Sequence, residues 1–342
     1  MLQPFPSTDV TALRSLIDAN RFFVLVVHVH PDGDALGSSL GLAHWLREQG
    51  KEAVVIVPDA YPDFLQWMPG SQEIVRADKY PDKATLMLKM ADVIGILDLN
   101  EPSRTETLAE TLIACRQPKV LIDHHLNPRE GVADLVFSRP LASSASELVF
   151  RLIDDMGGTD LINKTCAECL YTGMMCDTGG FTFNSNDPVI FNIISRLMAK
   201  GVDKDRLYNR VFHNYSEGRL RLFGYMLYEN MRLYPEHRAA LLTLTRKEMA
   251  RFNLIKGDTE GLVNQPLQMK NVDFVCFLRE DTEKSHINVS LRSEGTFPCN
   301  RFAEAYFNGG GHLNASGGRY YGSLDEAVKK FEEGLNNFDP KA

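Results

Sequence analysis

Hydrophobic residues fall along this chain in two rhythms. FFVLVVHV (22–29), EAVVIVP (52–58), DVIGILDL (92–99) and KVLIDHH (119–125) are short, continuous apolar runs rich in β-branched residues, and each predicts a buried strand. QEIV (72–75) is a shorter candidate of the same kind. Between these runs lie stretches with helical spacing: 35–49, a polar stretch before 92, and 104–115. Strands separated by helices signal βαβ units, and hence a parallel sheet with right-handed crossovers. SASELVFRLIDDMG (144–157) then predicts a helix stopped by Gly157 and Gly158, followed by a helix over 161–175 and a charged helical stretch from Pro188 to about Tyr234.

The pattern changes after that point. RAALLTLT (238–245), VDFVCFLRE (272–280) and HINVSLRS (286–293) are strands in quick succession, the last with clear alternation, and helices are expected near 246–251, 299–307 and 324–337. The predicted fold class is α/β. A Rossmann-like parallel-sheet domain over 1–190 is joined through a helical connector over 191–234 to a smaller α+β domain with a mixed sheet over 235–342. Within the latter, NGGGHLNASGG (308–318) carries five glycines, and glycine runs mark backbone that side chains would obstruct.

Composition narrows the possibilities. The 342 residues, 44% hydrophobic, suffice for about two domains. A net charge of −8 argues against a stable complex with duplex DNA, whose affinity comes mainly from cations neutralising phosphates, but leaves small phosphorylated substrates open. The N-terminus, MLQPFPSTDVTALRSL, has no basic segment leading into an apolar one, and no run approaches a membrane span, so a cytoplasmic location without membrane association is expected. Six scattered cysteines read as reduced, buried thiols, including the lone CxxC of Cys166 and Cys169.

The apolar runs end in ligand-type residues. His28, Asp32 and Asp34 follow the first in H-x-x-x-D-x-D spacing. Asp98 closes VIGIL, Asp123, His124 and His125 close the fourth run, and Asp177 follows the apolar-rich stretch from Leu170 to Cys176. Each has a plain alternative: HPDGD is good turn and helix-cap chemistry, and Asp98 or Asp177 alone would pass as a cap. Two adjacent imidazoles beside a carboxylate are harder to dismiss, because that cluster is costly to desolvate unless paired or metal-bound. Four element ends delivering oxygen and nitrogen ligands together have the composition of a two-metal hydrolase.

HVHPDGDALGS, DLN (98–100), DHH (123–125) and CDTGGF (176–181) resemble, in order, the four motifs of the DHH phosphoesterase superfamily. GGGHLNASGG, with VSLRS upstream, is similar to the signature of the DHH-associated substrate-binding domain. The resemblance implies that His28 and Asp32 bind one cation, that Asp34, His124 and Asp177 bind the other, and that Asp98 bridges them. For imidazole and carboxylate ligands Mn²⁺ is the first choice, with Mg²⁺ and Co²⁺ as alternatives. It further implies three catalytic residues: Asp98, Asp123 orienting a ligand, and His125 facing the scissile phosphate. Arg292, Gly309, Gly310, Gly311 and His312 would contact substrate, the glycine N–H groups forming an anion-binding nest. Asn314 and Ser316 would be secondary contacts.

Stand-alone two-domain members of this pattern resemble nanoRNases that trim short oligonucleotides from the 5′ end and remove the 3′-phosphate of pAp; others are labelled exopolyphosphatase-related. Alternatives are cyclic di-AMP or pApA hydrolysis, a family II inorganic pyrophosphatase, and a non-catalytic nucleotide-binding regulator. A regulator would have lost ligands, yet His28, Asp32, Asp34, Asp98, His124, His125 and Asp177 are all in place. TRKE (245–248) does not reproduce the basic motif expected of the pyrophosphatases. The expected partner is a short oligonucleotide or nucleotide, and a homodimer is left open. Of the remaining candidates, His30 and His44 flank the first cluster, with His44 read as packing beside Trp45. Arg104 and Arg139 are either solvated or within reach of a phosphate.

Overall fold

The structure is a computed structural model that describes residues 4–213, 215–255 and 257–340. The first three residues of the N-terminal stretch considered above, and residues 341–342 of the expected second domain, lie outside the described residues. The chain divides into two compact units, residues 1–214 and 215–342.

The first unit runs α1 (Ser7–Ala19), β1 (Phe22–Val26), α2 (Gly33–Glu48), β2 (Glu52–Val57), β3 (Val75–Arg76), α3 (Pro81–Met90), β4 (Val93–Leu97), α4 (Ala109–Ala114), β5 (Lys119–Asp123), β6 (Leu135–Ser138), α5 (Ala145–Asp155), α6 (Lys164–Asp177), α7 (Pro188–Ala199) and α8 (Lys204–Phe212). Its six strands are all parallel, in the order β3-β2-β1-β4-β5-β6. Continuous apolar runs mean burial on both faces. Phe23, Leu25 and Val27 pack with α1, α2, α5 and α6 on one side, while Val24 and Val26 pack toward α3 and α4 on the other.

Three details depart from the sequence expectation. The third strand is Val75–Arg76, because residues 71–73 form a 3₁₀ turn. The helix expected over 104–115 is a 3₁₀ segment, 102–108, leading into α4. β6, LVFS, has too few residues to announce itself and forms by pairing with β5 in register.

The second unit runs α9 (Glu217–Tyr225), β7 (Arg232–Tyr234), β8 (Ala239–Leu244), α10 (Arg246–Arg251), β9 (Phe274–Glu280), β10 (Ile287–Ser293), α11 (Cys299–Phe307), β11 (Gly310–His312), β12 (Ala315–Tyr320) and α12 (Leu324–Asn337). Its sheet is mixed, order β11-β12-β10-β9-β8-β7, with β8 and β9 parallel and the other pairs antiparallel. One face carries an aromatic core in which Phe274 meets Phe302 and Phe331 from α11 and α12. The stretch 191–234, read from sequence as a connector, is shared out: α7 and α8 belong to the first unit and α9 to the second. No helix among the described residues is long and apolar enough to cross a membrane.

Candidate metal centre

In the first unit β1 and β4 are neighbours, and the connections from them run to opposite sides of the sheet. That is a topological switch point, where an α/β sheet leaves a crevice beyond the carboxyl ends of its strands. His28 leaves β1 into this crevice, Asp98 leaves β4, and Asp123, His124 and His125 leave β5. Asp34 and Asp177 arrive on α2 and α6, which cross closely because both are glycine at the contact. A Cβ on Gly37 would lie 2.6 Å from the Gly173 Cα, and one on Gly173 would lie 2.9 Å from Asp34 Oδ1. Small residues thus bring two carboxylates from distant parts of the chain to one side of the site.

Several of the ligand-type residues are aimed by a second contact. His28 Nδ1 donates to the Val29 carbonyl at 2.8 Å, which turns Nε2 toward Asp98 Oδ2 at 3.2 Å and Asp32 Oδ1 at 3.9 Å. Asp32 caps α2, its Oδ1 accepting from the N–H groups of Asp34 (2.9 Å) and Ala35 (3.0 Å), so the cap reading of HPDGD holds for this residue. The Asp34 carboxylate is fully buried against the N-terminus of α5 and accepts from Ala145 N–H at 2.5 Å and Ser146 N–H at 2.9 Å. His124 places Nε2 3.2 Å from Asp177 Oδ2, 3.4 Å from Asp98 Oδ1 and 3.9 Å from Asp34 Oδ2. His125 Nδ1 donates to Asp123 Oδ1 at 2.7 Å. Asp123 and His125 emerge from the same strand end and meet directly.

Asp98 is the centre of the arrangement. It follows β4 in the left-handed region, φ 56°, a conformation Asp tolerates better than most residues. Its Oδ1 is buried and accepts no hydrogen bond, although His124 Nε2 and His125 Nδ1 stand 3.4 and 3.6 Å away. A buried carboxylate oxygen left without a donor between two imidazoles fits a cation ligand. Within the first unit the ligand atoms of His28, Asp32 and Asp98 lie within 4.8 Å of one another, as do those of Asp34, His124 and Asp177. A third set, Asp98, Asp123 and His125, shares Asp98 with the first.

The charges sharpen that fit. Burial and the Asp98 charge push Asp34 up to about 7. Desolvation and the charges of Asp34, Asp32 and Asp98 hold Asp177 well above the carboxylate range, against the pull of His124. Burial would also raise Asp98, but the His124 imidazole beside it and the hydrogen-bonded imidazole of His28 outweigh it and hold Asp98 well below its ordinary value. His124 and His28 are raised although burial opposes it, because the carboxylates around them favour the imidazolium form. Such a cluster stays together without a cation only by sharing protons, and a divalent ion displaces them.

In the second unit Gly310 to His312 form the edge strand β11. Gly309 N–H donates to the Ala303 carbonyl, and residues 310–312 pair with β12. The glycines are required by close packing: a Cβ on Gly309 would lie 2.0 Å from the Gly317 oxygen, and Gly311 has φ 141°. His312 and Arg292 both pair with Ala315, from opposite sides of β12, so the three share one sheet face. Asn314 donates to Ser293 Oγ and Ser316 donates to the His312 carbonyl, so both brace the local scaffold.

Other candidates resolve simply. His44 bonds the Pro69 carbonyl, and Arg139 stacks over Phe5 at 4.2 Å. Cys166 and Cys169 are buried on α6, where burial pushes the Cys166 thiol up to about 12. Arg104 leaves Nη1 buried without a hydrogen-bond partner, and its positive charge opposes protonation of His28. Asp59, just beyond β2, carries the signature of the other strand-end carboxylates, an Asp closing an apolar run, and holds His30. That signature could have singled it out.

Comparison with known proteins agrees with this architecture. Residues 23–174 match the model of the DHH family, N-terminal domain, and residues 241–337 match the DHHA1 domain. The chain is 31% identical over 317 residues, 91% of its length and 88% of the relative's, to the bifunctional oligoribonuclease and PAP phosphatase NrnA of Thermus thermophilus. It is 51% identical, with a TM-score of 0.94 over 100% of this chain and 99% of the other, to the crystal structure of an exopolyphosphatase-related protein from Bacteroides fragilis. RecJ from Thermus thermophilus, crystallised with Mn²⁺, shares the fold at 13% identity and a TM-score of 0.53, over 97% of this chain and 55% of RecJ.

Proposed function

The chain belongs to the DHH family of phosphoesterases, a hydrolase with a DHHA1 domain, and we propose that it is a Mn²⁺-dependent enzyme releasing nucleotides from the 5′ end of short oligoribonucleotides and the 3′-phosphate of pAp. These two reactions are one chemically: in each, water adds to phosphorus and the bond to the ribose O3′ breaks. The observation that carries the reading is the pair of three-residue ligand sets at the switch point, with the orphaned oxygen of Asp98 facing the imidazole of the second set.

His28, Asp32 and Asp98 would hold one cation, and Asp34, His124 and Asp177 the other; Asp98, whose Oδ1 stands 3.4 Å from His124 Nε2, would be shared between them. When bound, the cations supply a water acidified enough to attack at neutral pH and positive charge for the phosphoryl oxygens. Asp123 fixes the ring of His125 through Nδ1, so His125 acts through Nε2, donating to a phosphoryl oxygen as negative charge develops there. The Val29 and Ala142 carbonyls hold the rings of His28 and His124 in place. The α5 N–H groups keep Asp34 in its ligand orientation. In the second unit, Arg292, His312 and the strand formed by Gly310 and Gly311, with Gly309 packed beneath it, give substrate a cationic sheet face.

The test is a hydrolysis panel with Mn²⁺, Mg²⁺ or EDTA present: pAp, 5′-phosphorylated di- to pentaribonucleotides, cyclic di-AMP, pyrophosphate and polyphosphate. Turnover of pAp and the short RNAs, abolished by EDTA and restored best by Mn²⁺, is expected. Turnover of pyrophosphate or polyphosphate alone would remove the nuclease reading, and preference for cyclic di-AMP would redirect it to cyclic dinucleotides.

A further inference from the structure

His30 lies between two proposed ligands, two residues from His28 and two from Asp32, yet it does not join them. Its backbone sits at φ 56°, an uncommon conformation for a residue with a side chain, and its side chain is 68% exposed. Asp59 holds it there from the end of β2. One carboxylate oxygen accepts the His30 backbone N–H at 2.6 Å, and the other accepts ring Nδ1–H at 2.9 Å. Gripping an exposed ring at two points fixes its direction and reduces the rotamer freedom a mobile surface histidine would lose on making a contact. With Nδ1 committed to Asp59, Nε2 is the nitrogen turned to solution.

What Nε2 would meet follows from its place and its company. Two residues of chain span at most about 7 Å, so the ring is within reach of a group adjoining whatever binds at His28 and Asp32. If a phosphoester binds there, the next group outward is the sugar. The ring meets that sugar with a single nitrogen, because Asp59 takes the other. A hydroxyl suits it, since a hydroxyl both donates and accepts and so pairs with Nε2 whether or not that nitrogen carries a proton. On the ribose whose O3′ is released, the neighbouring hydroxyl is the 2′-OH. Resting on the function proposed above, we infer that His30, positioned by Asp59, hydrogen-bonds this 2′-hydroxyl and makes the enzyme prefer ribonucleotide over deoxyribonucleotide substrates.

The full chain with saturating Mn²⁺ would be assayed for kcat/KM on a 5′-phosphorylated diadenosine ribonucleotide and on its 2′-deoxy counterpart, as wild type, His30→Ala and Asp59→Ala. His30→Ala is expected to lower the ribonucleotide value by roughly three- to tenfold, the worth of one hydrogen bond. The deoxyribonucleotide value should stay within roughly twofold, so the preference collapses by the factor lost. Asp59→Ala should move the ratio the same way, and the Mn²⁺ concentration for half-maximal activity should not change. Equal losses on both sugars, an unchanged ratio, or a raised Mn²⁺ requirement would overturn the inference, pointing to base stacking, no contact, or a purely structural clamp. A wild type that cleaves neither substrate nor pAp defeats the functional reading, and this inference with it. A wild type that cleaves both, with a ratio indifferent to His30→Ala, defeats the inference alone.

Discussion

In the first unit most of the chemistry-bearing side chains are withdrawn from water: Asp34 and Asp123 fully, and His28, Asp98 and His124 to within 5% exposure, while Asp32 stays half exposed at the rim. In the second unit Arg292 and His312 remain half-buried on a sheet face, aligned by main-chain pairing with Ala315. The difference teaches where each region is fragile. Buried charges are held by one another, so removing one unbalances the rest. Half-exposed charges are positioned by the backbone, so removing one loses mainly its own contact, while disturbing the glycines that shape the backbone disturbs the fold.

The widest gap should appear in activity. Asp98→Ala is expected to lower kcat/KM on pAp by at least roughly 10³-fold, since it takes a ligand from both cation sites. His312→Ala is expected to cost roughly 10- to 100-fold, mostly in KM, the scale of a charge-assisted contact. Comparable losses in the two variants would break the comparison.

Metal should act on one unit only. Mn²⁺ at about 100 times its dissociation constant is expected to stabilise the first unit by about 2.7 kcal/mol over the EDTA-treated protein. Hydrogen exchange should then show protection gained around residues 23–37, 95–98, 120–125 and 170–177, and none around β8 to β10. Protection spread equally over both units would contradict the assignment of all the ligands to the first.

Gly309→Ala inverts the pattern. The added Cβ meets the Gly317 oxygen, and the second unit should lose about 1–3 kcal/mol with Mn²⁺ affinity unchanged, as read by denaturation and by metal titration.

The smallest effect concerns Asp281, in the loop after β9. Burial alone would raise it, but hydrogen bonds from Asn288 and the N–H groups of Lys284 and Glu283 bring it down to about 2. A carboxylate lowered on folding contributes stability that is present above its unfolded value of about 4 and lost as pH falls toward the folded one. Urea denaturation of the wild type and Asp281→Asn should therefore show a gap at pH 6 that narrows by pH 3. A gap independent of pH would assign the effect to lost packing.

Much of the first unit was legible because its strands are continuous apolar runs and its ligand-type residues stand where those runs stop. Asp98 and Asp177, ambiguous singly, gain meaning from company that only the sheet order and the Gly37–Gly173 crossing create. Asp59 was passed over although it closes an apolar run as Asp98 does. The second unit was read less well. GGGH has no side-chain pattern to mark it as a strand, and β11 exists through pairing with β12.

The claim that decides the account is that Asp98 joins two cation sites. Crystals grown with MnCl₂, measured at the manganese absorption edge, would test it directly through anomalous difference density. The account predicts two peaks, one among His28, Asp32 and Asp98 and one among Asp34, His124 and Asp177, both within bonding distance of the Asp98 carboxylate. A single peak, or two peaks neither of which touches Asp98, would contradict it.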